Sequence, residues 1–84
     1  MSKILVVEDN EDLAFGLRKV LEFEGYDVDV AVDGESGLEA ASKQEPELLI
    51  LDIMLPNKSG FDVLRELRTS GKRFPVLILS LIHI

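Results

Sequence analysis

The stretch that most constrains this chain runs from Glu47 to Pro56, Glu-Leu-Leu-Ile-Leu-Asp-Ile-Met-Leu-Pro. Leu48 to Leu51 follow one another with no polar residue between them, which suits a parallel strand covered on both faces better than a half-exposed antiparallel one. Pro56 soon afterwards marks a turn. Asp52 therefore stands where the strand runs out. In an open parallel sheet the carboxyl ends of the strands form the rim at which ligands bind, so an acid placed there is a candidate site residue. A turn-forming or helix-capping Asp would look the same in isolation, and the other strand ends have to decide between the two.

A second buried strand is expected over Ile4 to Val7, closed by Glu8-Asp9-Asn10, with Asp9 or Asn10 capping the next helix. From Glu11 to Glu24, Leu13, Leu17, Val20 and Leu21 recur at helical spacing, Phe15 and Phe23 widen or flank that face, and Gly25 ends the helix. Tyr26 to Val32 alternates, with Val28, Val30 and Val32 on one side and Asp27, Asp29 and Ala31 on the other, the pattern of a half-exposed edge strand. Asp33-Gly34 reads as a turn. Glu35 to Lys43 reads as a weakly amphipathic helix around Leu38 and Ala41, stopped by Gln44-Glu45-Pro46. Beyond Asp52, a loop shaped by Pro56 and Gly60 leads into a helix over Phe61 to Thr69. Its inward residues are Phe61, Leu64 and Leu67, with Arg65, Glu66 and Arg68 toward water. Ser70 to Arg73 turns the chain into a fourth apolar strand, Pro75 to Leu79, which ends at Ser80. Strand and helix alternating in this way predict an α/β domain, a parallel sheet with right-handed crossovers and helices on both faces. Leu81-Ile82-His83-Ile84 prolongs the last strand without a loop, helix or charge. Residues 1–80 are thus read as an incomplete domain and residues 81–84 as an atypical apolar tail, foreign to it.

Composition narrows the function classes. Eighty-four residues allow one small domain. A formal charge of −7, from 16 acidic and 9 basic residues, disfavours nucleic acid or an anionic membrane as a direct partner of this segment. The absence of cysteine excludes a disulfide framework, a thiolate zinc site and a thiol nucleophile. Ile4 to Val7 is too short an apolar run for a signal peptide, and no run approaches a membrane span. The cytoplasm is the expected compartment.

Two strand ends carry acids, Glu8-Asp9 after the first and Asp52 after the third. If those strands are neighbours where the strand order reverses, three carboxylates converge in one crevice. Like charges about 4 Å apart repel by roughly 4 kcal/mol at a surface-like dielectric. Either one of them takes up a proton, or a hard divalent cation binds; oxygen ligands without His or Cys select Mg²⁺ (or Mn²⁺) over Zn²⁺. Such a cation permits phosphoryl transfer at a site that would otherwise repel phosphate, and a carboxylate can itself accept the phosphoryl group. Asp52, alone at its strand end, is best placed as acceptor. Glu8 and Asp9 suit the metal, the Met54 carbonyl is a further candidate ligand while its side chain packs, and Ser80 can donate its hydroxyl to a phosphoryl oxygen.

The run Ile4-Leu5-Val6-Val7-Glu8-Asp9-Asn10, together with Asp52-Ile53-Met54-Leu55-Pro56-Asn57-Lys58-Ser59-Gly60-Phe61-Asp62-Val63-Leu64, resembles the receiver domain of two-component response regulators. The proline-and-glycine loop is most similar to those whose output is a winged-helix DNA-binding domain. The resemblance spans Lys3 to Ser80. It implies a flavodoxin-like doubly wound sheet of order 2-1-3-4-5, of which order 2-1-3-4 falls within this chain. It further implies phosphotransfer from a sensor histidine kinase to Asp52, Mg²⁺ held by Glu8, Asp9, Asp52 and the Met54 carbonyl, and Ser80 as the switch hydroxyl. On the first helix, Ala14, Phe15 and Arg18 would face a kinase. A complete receiver continues through a fourth helix, a fifth strand bearing a phosphate-pairing lysine, and a fifth helix; none of these is matched here, so impaired activity and lowered stability are expected.

Other readings fare worse. Phosphatases that use a strand-end Asp nucleophile need a second Asp two residues on, where Met54 stands. Nucleotide binding needs a glycine-rich turn, where Glu8-Asp9-Asn10-Glu11 stands. His83 lies in an apolar tail with no partner for an imidazole. The alternative that remains is a receiver fragment that is never phosphorylated and acts only as a protein-interaction module.

Overall fold

The computed structural model of the chain describes residues 2–79, in which strands and helices alternate as β1 (Lys3–Val7), α1 (Glu11–Phe23), β2 (Asp27–Ala31), α2 (Gly34–Gln44), β3 (Leu48–Asp52), α3 (Gly60–Thr69) and β4 (Val76–Leu79). The strands form one sheet of order β2-β1-β3-β4 with every pairing parallel. The strand order predicted within the chain is therefore the one found. Stepping from β1 to β2 moves one way across the sheet and from β1 to β3 the other, so the order reverses between the ends of β1 and β3.

Alternation along the strands sorts their side chains into two cores. Leu5, Val7, Leu49 and Leu51 face α2 and α3 and close with Ala31, Ala41, Val63 and Leu67. Ile4, Val6, Val28 and Ile50 face the other way, packed by Leu17 and Leu21 of α1. Strands buried on both faces need continuous apolar runs. That is why β1 and β3 are legible without alternation, and why edge strand β2 alternates more freely.

The helices begin and end by local hydrogen bonding. Asn10, Asp33 and Ser59 are the N-caps, their side chains accepting from the amides of Leu13, Ser36 and Asp62. Gly25, at φ +99, and Gly71, at φ +89, follow the ends of α1 and α3. There the amides of Tyr26 and Lys72 reach back to the carbonyls of Leu21 and Leu67, satisfying groups the helix leaves open.

Several expectations are corrected. Gly34 is the first residue of α2 and Asp33 its cap, not a free turn. Val20 and Phe23 are exposed, at 64% and 88%, so the buried stripe of α1 is narrower than its apolar content. Val63, not Phe61, lies in the α3 core; Phe61 sits in the first turn, past the edge of the sheet-facing stripe, and is 54% exposed. Val32 lies beyond β2 and is exposed, whereas Ala31 is buried against the opposite face. Ser80, His83 and the rest of the 81–84 tail lie outside the described residues.

Candidate functional site

The register that pairs Val7 with Leu51 brings the next residues of β1 and β3, Glu8 and Asp52, to the same level of the sheet. Each of Glu8, Asp9 and Asp52 offers a carboxylate oxygen, and these oxygens lie within 4.8 Å of one another. Glu8 and Asp52 are buried, at 1% and 3% exposure, while Asp9 is open to solvent. Three carboxylates predicted to converge do converge.

The two buried ones are held from the backbone. Glu8 Oε2 accepts from the Asn10 amide at 2.9 Å, the same residue whose carbonyl receives the Ala14 amide as α1 begins. The turn into α1 thus fixes the Glu8 side chain. Its other oxygen, Oε1, is buried without a hydrogen-bond partner among the described residues. Asp52 Oδ1 accepts from the Met54 amide at 3.3 Å. An anionic oxygen buried without a donor is costly. Burial is the first cause that raises the Glu8 carboxyl above its ordinary range; the Asn10 amide opposes it, and the charge on Asp52 adds to it. A proton or a cation answers that deficit, and the all-oxygen donor set fits a hard divalent ion of the Mg²⁺ type.

The β3–α3 loop is held close to the rim by small residues. The Gly60 amide donates to the Ile53 carbonyl at 2.9 Å, and a Cβ on Gly60 would run into the Asp52 carbonyl. Pro56 offers its carbonyl to the amides of Lys58, at 2.8 Å, and Gly34, at 3.4 Å, and a Cβ on Gly34 would collide with the Lys58 backbone. Asn57, in the left-handed region at φ 71, donates to Asp33 at 3.4 Å. Loop and α2 are therefore braced together beside Asp52. Sequence spacing does not single out Gly34, Asp33 or Asn57 as parts of this brace, because the requirement for a missing Cβ shows only once the partner backbone is in place.

Two further candidates need correction. The Met54 side chain is 74% exposed and not packed. Ala14 is buried at 5% exposure, so it faces the sheet and offers nothing to a partner. Phe15, 62% exposed with Lys19 Nζ 5.2 Å from its ring centroid, and Arg18, whose Nε donates to Glu22 at 3.0 Å, do lie on the open side of α1. No helix among the described residues is long and apolar enough to cross a membrane.

Comparison with known proteins places this geometry. The sequence model of the response regulator receiver domain matches residues 4–83. Over 78 residues, 93% of the chain, it is 45% identical to the alkaline phosphatase synthesis transcriptional regulatory protein PhoP of Bacillus subtilis, of which it covers 32%. The chain spans about a third of the length of the curated relatives it matches. Its fold superposes on a Francisella response regulator receiver domain with a TM-score of 0.93 at 30% identity, over 100% of this chain and 69% of that one. It also superposes on the response regulator TrrA of Thermotoga maritima, solved in complex with Mg(2+)-BeF, with a TM-score of 0.89 at 36% identity, over 95% of this chain and 70% of that one.

Proposed function

Because the chain belongs to the response regulator receiver domain family, we propose that it accepts a phosphoryl group on Asp52 from a sensor histidine kinase, with Mg²⁺ (or Mn²⁺) held by Glu8, Asp9, Asp52 and the Met54 carbonyl. One observation carries this reading: three carboxylates share a span of 4.8 Å, two of them buried, and Glu8 Oε1 has no donor among the described residues. A set of acids so crowded is suited to a cation and poorly suited to being left alone. Bound there, the cation would neutralise the crowding and offer a coordination position to phosphoryl oxygens.

Asp52 contributes the nucleophile. Its carboxylate is fixed at the end of a rigid strand and oriented by the Met54 amide, so attack on phosphorus loses little conformational freedom. Asn10 holds Glu8, and Gly60 lets the following loop lie close against the strand end. Ser80, next in sequence after Leu79, the register partner of Asp52, is proposed as the hydroxyl that donates to the phosphoryl group. Phe15 and Arg18 are proposed as kinase contacts. The PhoP relative is a transcriptional regulatory protein by name, and a DNA-binding output domain outside this chain is proposed as what phosphorylation controls. The cytoplasm is the compartment this reading requires.

The test is intact-mass measurement after incubation with Mg²⁺ and acetyl phosphate. One added phosphoryl group, absent in Asp52→Asn and absent when the metal is chelated, supports the acceptor reading. No addition under any condition leaves the interaction-module reading in its place.

A further inference from the structure

The net charge of the protein is carried at one end of it. Glu8, Asp9, Glu11 and Asp12 follow β1 and open α1, Asp33 and Glu35 follow β2 and open α2, Asp52 ends β3, and Asp62 lies in the first turn of α3. Against these eight carboxylates the same loops and first turns hold one cation, Lys58, and it is already ion-paired to Glu66, while Arg65, further along α3, pairs with Asp62 at 3.2 Å. Eight against one is the whole of the formal −7; elsewhere eight acids meet eight bases. In a parallel sheet all these loops lie on the same side. Glu8 Oε1, buried without a partner, belongs to the same group and marks it as short of positive charge.

A divalent cation would remove two of these charges and leave five, or four with Arg65 counted against Asp62. The positive ends of the three helices that start here offset roughly half a charge each. The rim stays negative with its metal in place. A free phosphoryl donor approaching it is an anion, and repulsion between like charges slows encounter just as attraction speeds it. We propose that this rim is a charge filter, holding back free phosphoryl donors in proportion to their negative charge and so favouring a donor presented on a positively charged surface. The proposal rests on the phosphoacceptor reading and adds to it the chemistry that selects the donor.

Two small donors test it. With acetyl phosphate, a dianion near neutral pH, an Asp52 carboxylate oxygen bonds to phosphorus, the bond from phosphorus to the acetate oxygen breaks, and acetate leaves with the electron pair. With phosphoramidate, which carries one charge fewer, the phosphorus–nitrogen bond breaks and the protonated nitrogen leaves as ammonia. Labelling rates are measured by intact mass with Mg²⁺ saturating, as ionic strength rises from about 0.01 M to about 0.1 M and the screening length falls from about 30 Å to about 10 Å. Acetyl phosphate should speed up by roughly three- to tenfold and phosphoramidate by clearly less, an effect at or below the lower end of what surface-charge steering achieves. The triple variant Glu11→Gln, Asp12→Asn, Glu35→Gln, none of which is a proposed ligand, should label faster than wild type at low salt and with a flatter salt dependence. The two-donor comparison in wild type stands by itself if that variant folds poorly. Labelling that ignores salt, or rises equally for both donors, overturns the filter and leaves Asp52 as acceptor. Absence of labelling with either donor at every salt concentration overturns the acceptor reading and the filter with it.

Discussion

At the amino ends of the strands Lys3 reaches Asp27 at 3.3 Å and Asp29 at 3.2 Å, and Lys72 reaches Glu45 at 3.5 Å. At the carboxyl ends of the same strands Glu8, Asp9 and Asp52 crowd together, and among the described residues none of them is in an ion pair. The first arrangement satisfies its charges locally and in solvent, where each pair contributes little. The second buries two of its three carboxylates and leaves one oxygen without a donor. Charge is thus placed unfavourably at the carboxyl ends and favourably at the amino ends, and the proposed cation would offset the unfavourable placement. The contrast gives a sign rule: neutralising an acid at the rim should stabilise the metal-free fold, while removing a charge at the opposite end should weaken it slightly or not at all.

The largest effect is expected at Asp52. Asp52→Asn keeps an oxygen for the Met54 amide, removes one negative charge from the group and removes the nucleophile. Phosphoryl addition should vanish. Urea unfolding without metal should show the variant more stable by about 1–3 kcal/mol, the like-charge repulsion at such distances reduced by screening. Mg²⁺ at about a hundred times its dissociation constant should stabilise wild type by about 2.7 kcal/mol and the variant by much less. A variant no more stable than wild type would break the sign rule where it should be strongest.

Backbone packing provides the next contrast. Gly60→Ala forces a Cβ into the Asp52 carbonyl, part of a buried strand that cannot move away, whereas Gly71, at φ +89, has open space around it. The first should cost about 3 kcal/mol and reduce Mg²⁺ affinity with it. The second should cost about 1–2 kcal/mol, the strain of the left-handed conformation, and leave Mg²⁺ affinity alone. Equal effects on metal binding would mean that the close approach of Gly60 does not position the site.

These two glycines also show how far the sequence could be read. Gly71 is legible because a glycine after an amphipathic stretch is a local signal. Gly60 is legible only in part: its place in a proline-and-glycine loop suggests a turn, but the carbonyl it lies against comes from another element. The strand ends were legible for a stronger reason. Unbroken apolar runs at Ile4 to Val7 and Leu48 to Leu51 suit a doubly covered parallel strand best, and a parallel sheet sends its carboxyl ends to one side. Convergence of Glu8, Asp9 and Asp52 follows from that topology. Helix faces were less legible, since periodicity gives a stripe without its width. Val20, Phe23 and Phe61 are apolar and near the stripe yet exposed, and Ala14, too small to stand out, is buried in it.

Acid-base behaviour should differ between the ends as well. Burial, helped by the charge on Asp52, raises the Glu8 carboxyl above the ordinary 4.5, although the Asn10 amide opposes the shift. A raised folded value means that the folded state prefers the proton. The stability Glu8 contributes is therefore complete below about 4.5 and is lost as pH rises through the folded value. Measured as wild type against Glu8→Gln, which keeps an oxygen for Asn10, the variant should gain on wild type over that window. Saturating Mg²⁺ should shrink the difference or reverse it. A gap that stays constant with pH would show that Glu8 is not strained by its neighbours.

The smallest effect belongs to Lys3. Its ammonium holds a proton more tightly than usual because Asp29 and then Asp27 hydrogen-bond to it, yet the acids it meets are half open to water, with side chains 50% and 42% exposed. Water replaces such a partner at little loss. Lys3→Met keeps an unbranched side chain at the same place and leaves Asp27 and Asp29 to solvent, so its urea midpoint should lie at or just below that of wild type, never above it. Its Mg²⁺ affinity should be unchanged, because the rim is at the far ends of these strands. The two changes shift the net charge of −7 by one unit in opposite directions, so a Lys3→Met midpoint that fell as far as the Asp52→Asn midpoint rises would mean that the stabilisation seen there reflects the protein's total charge, and the distinction between the two ends would collapse.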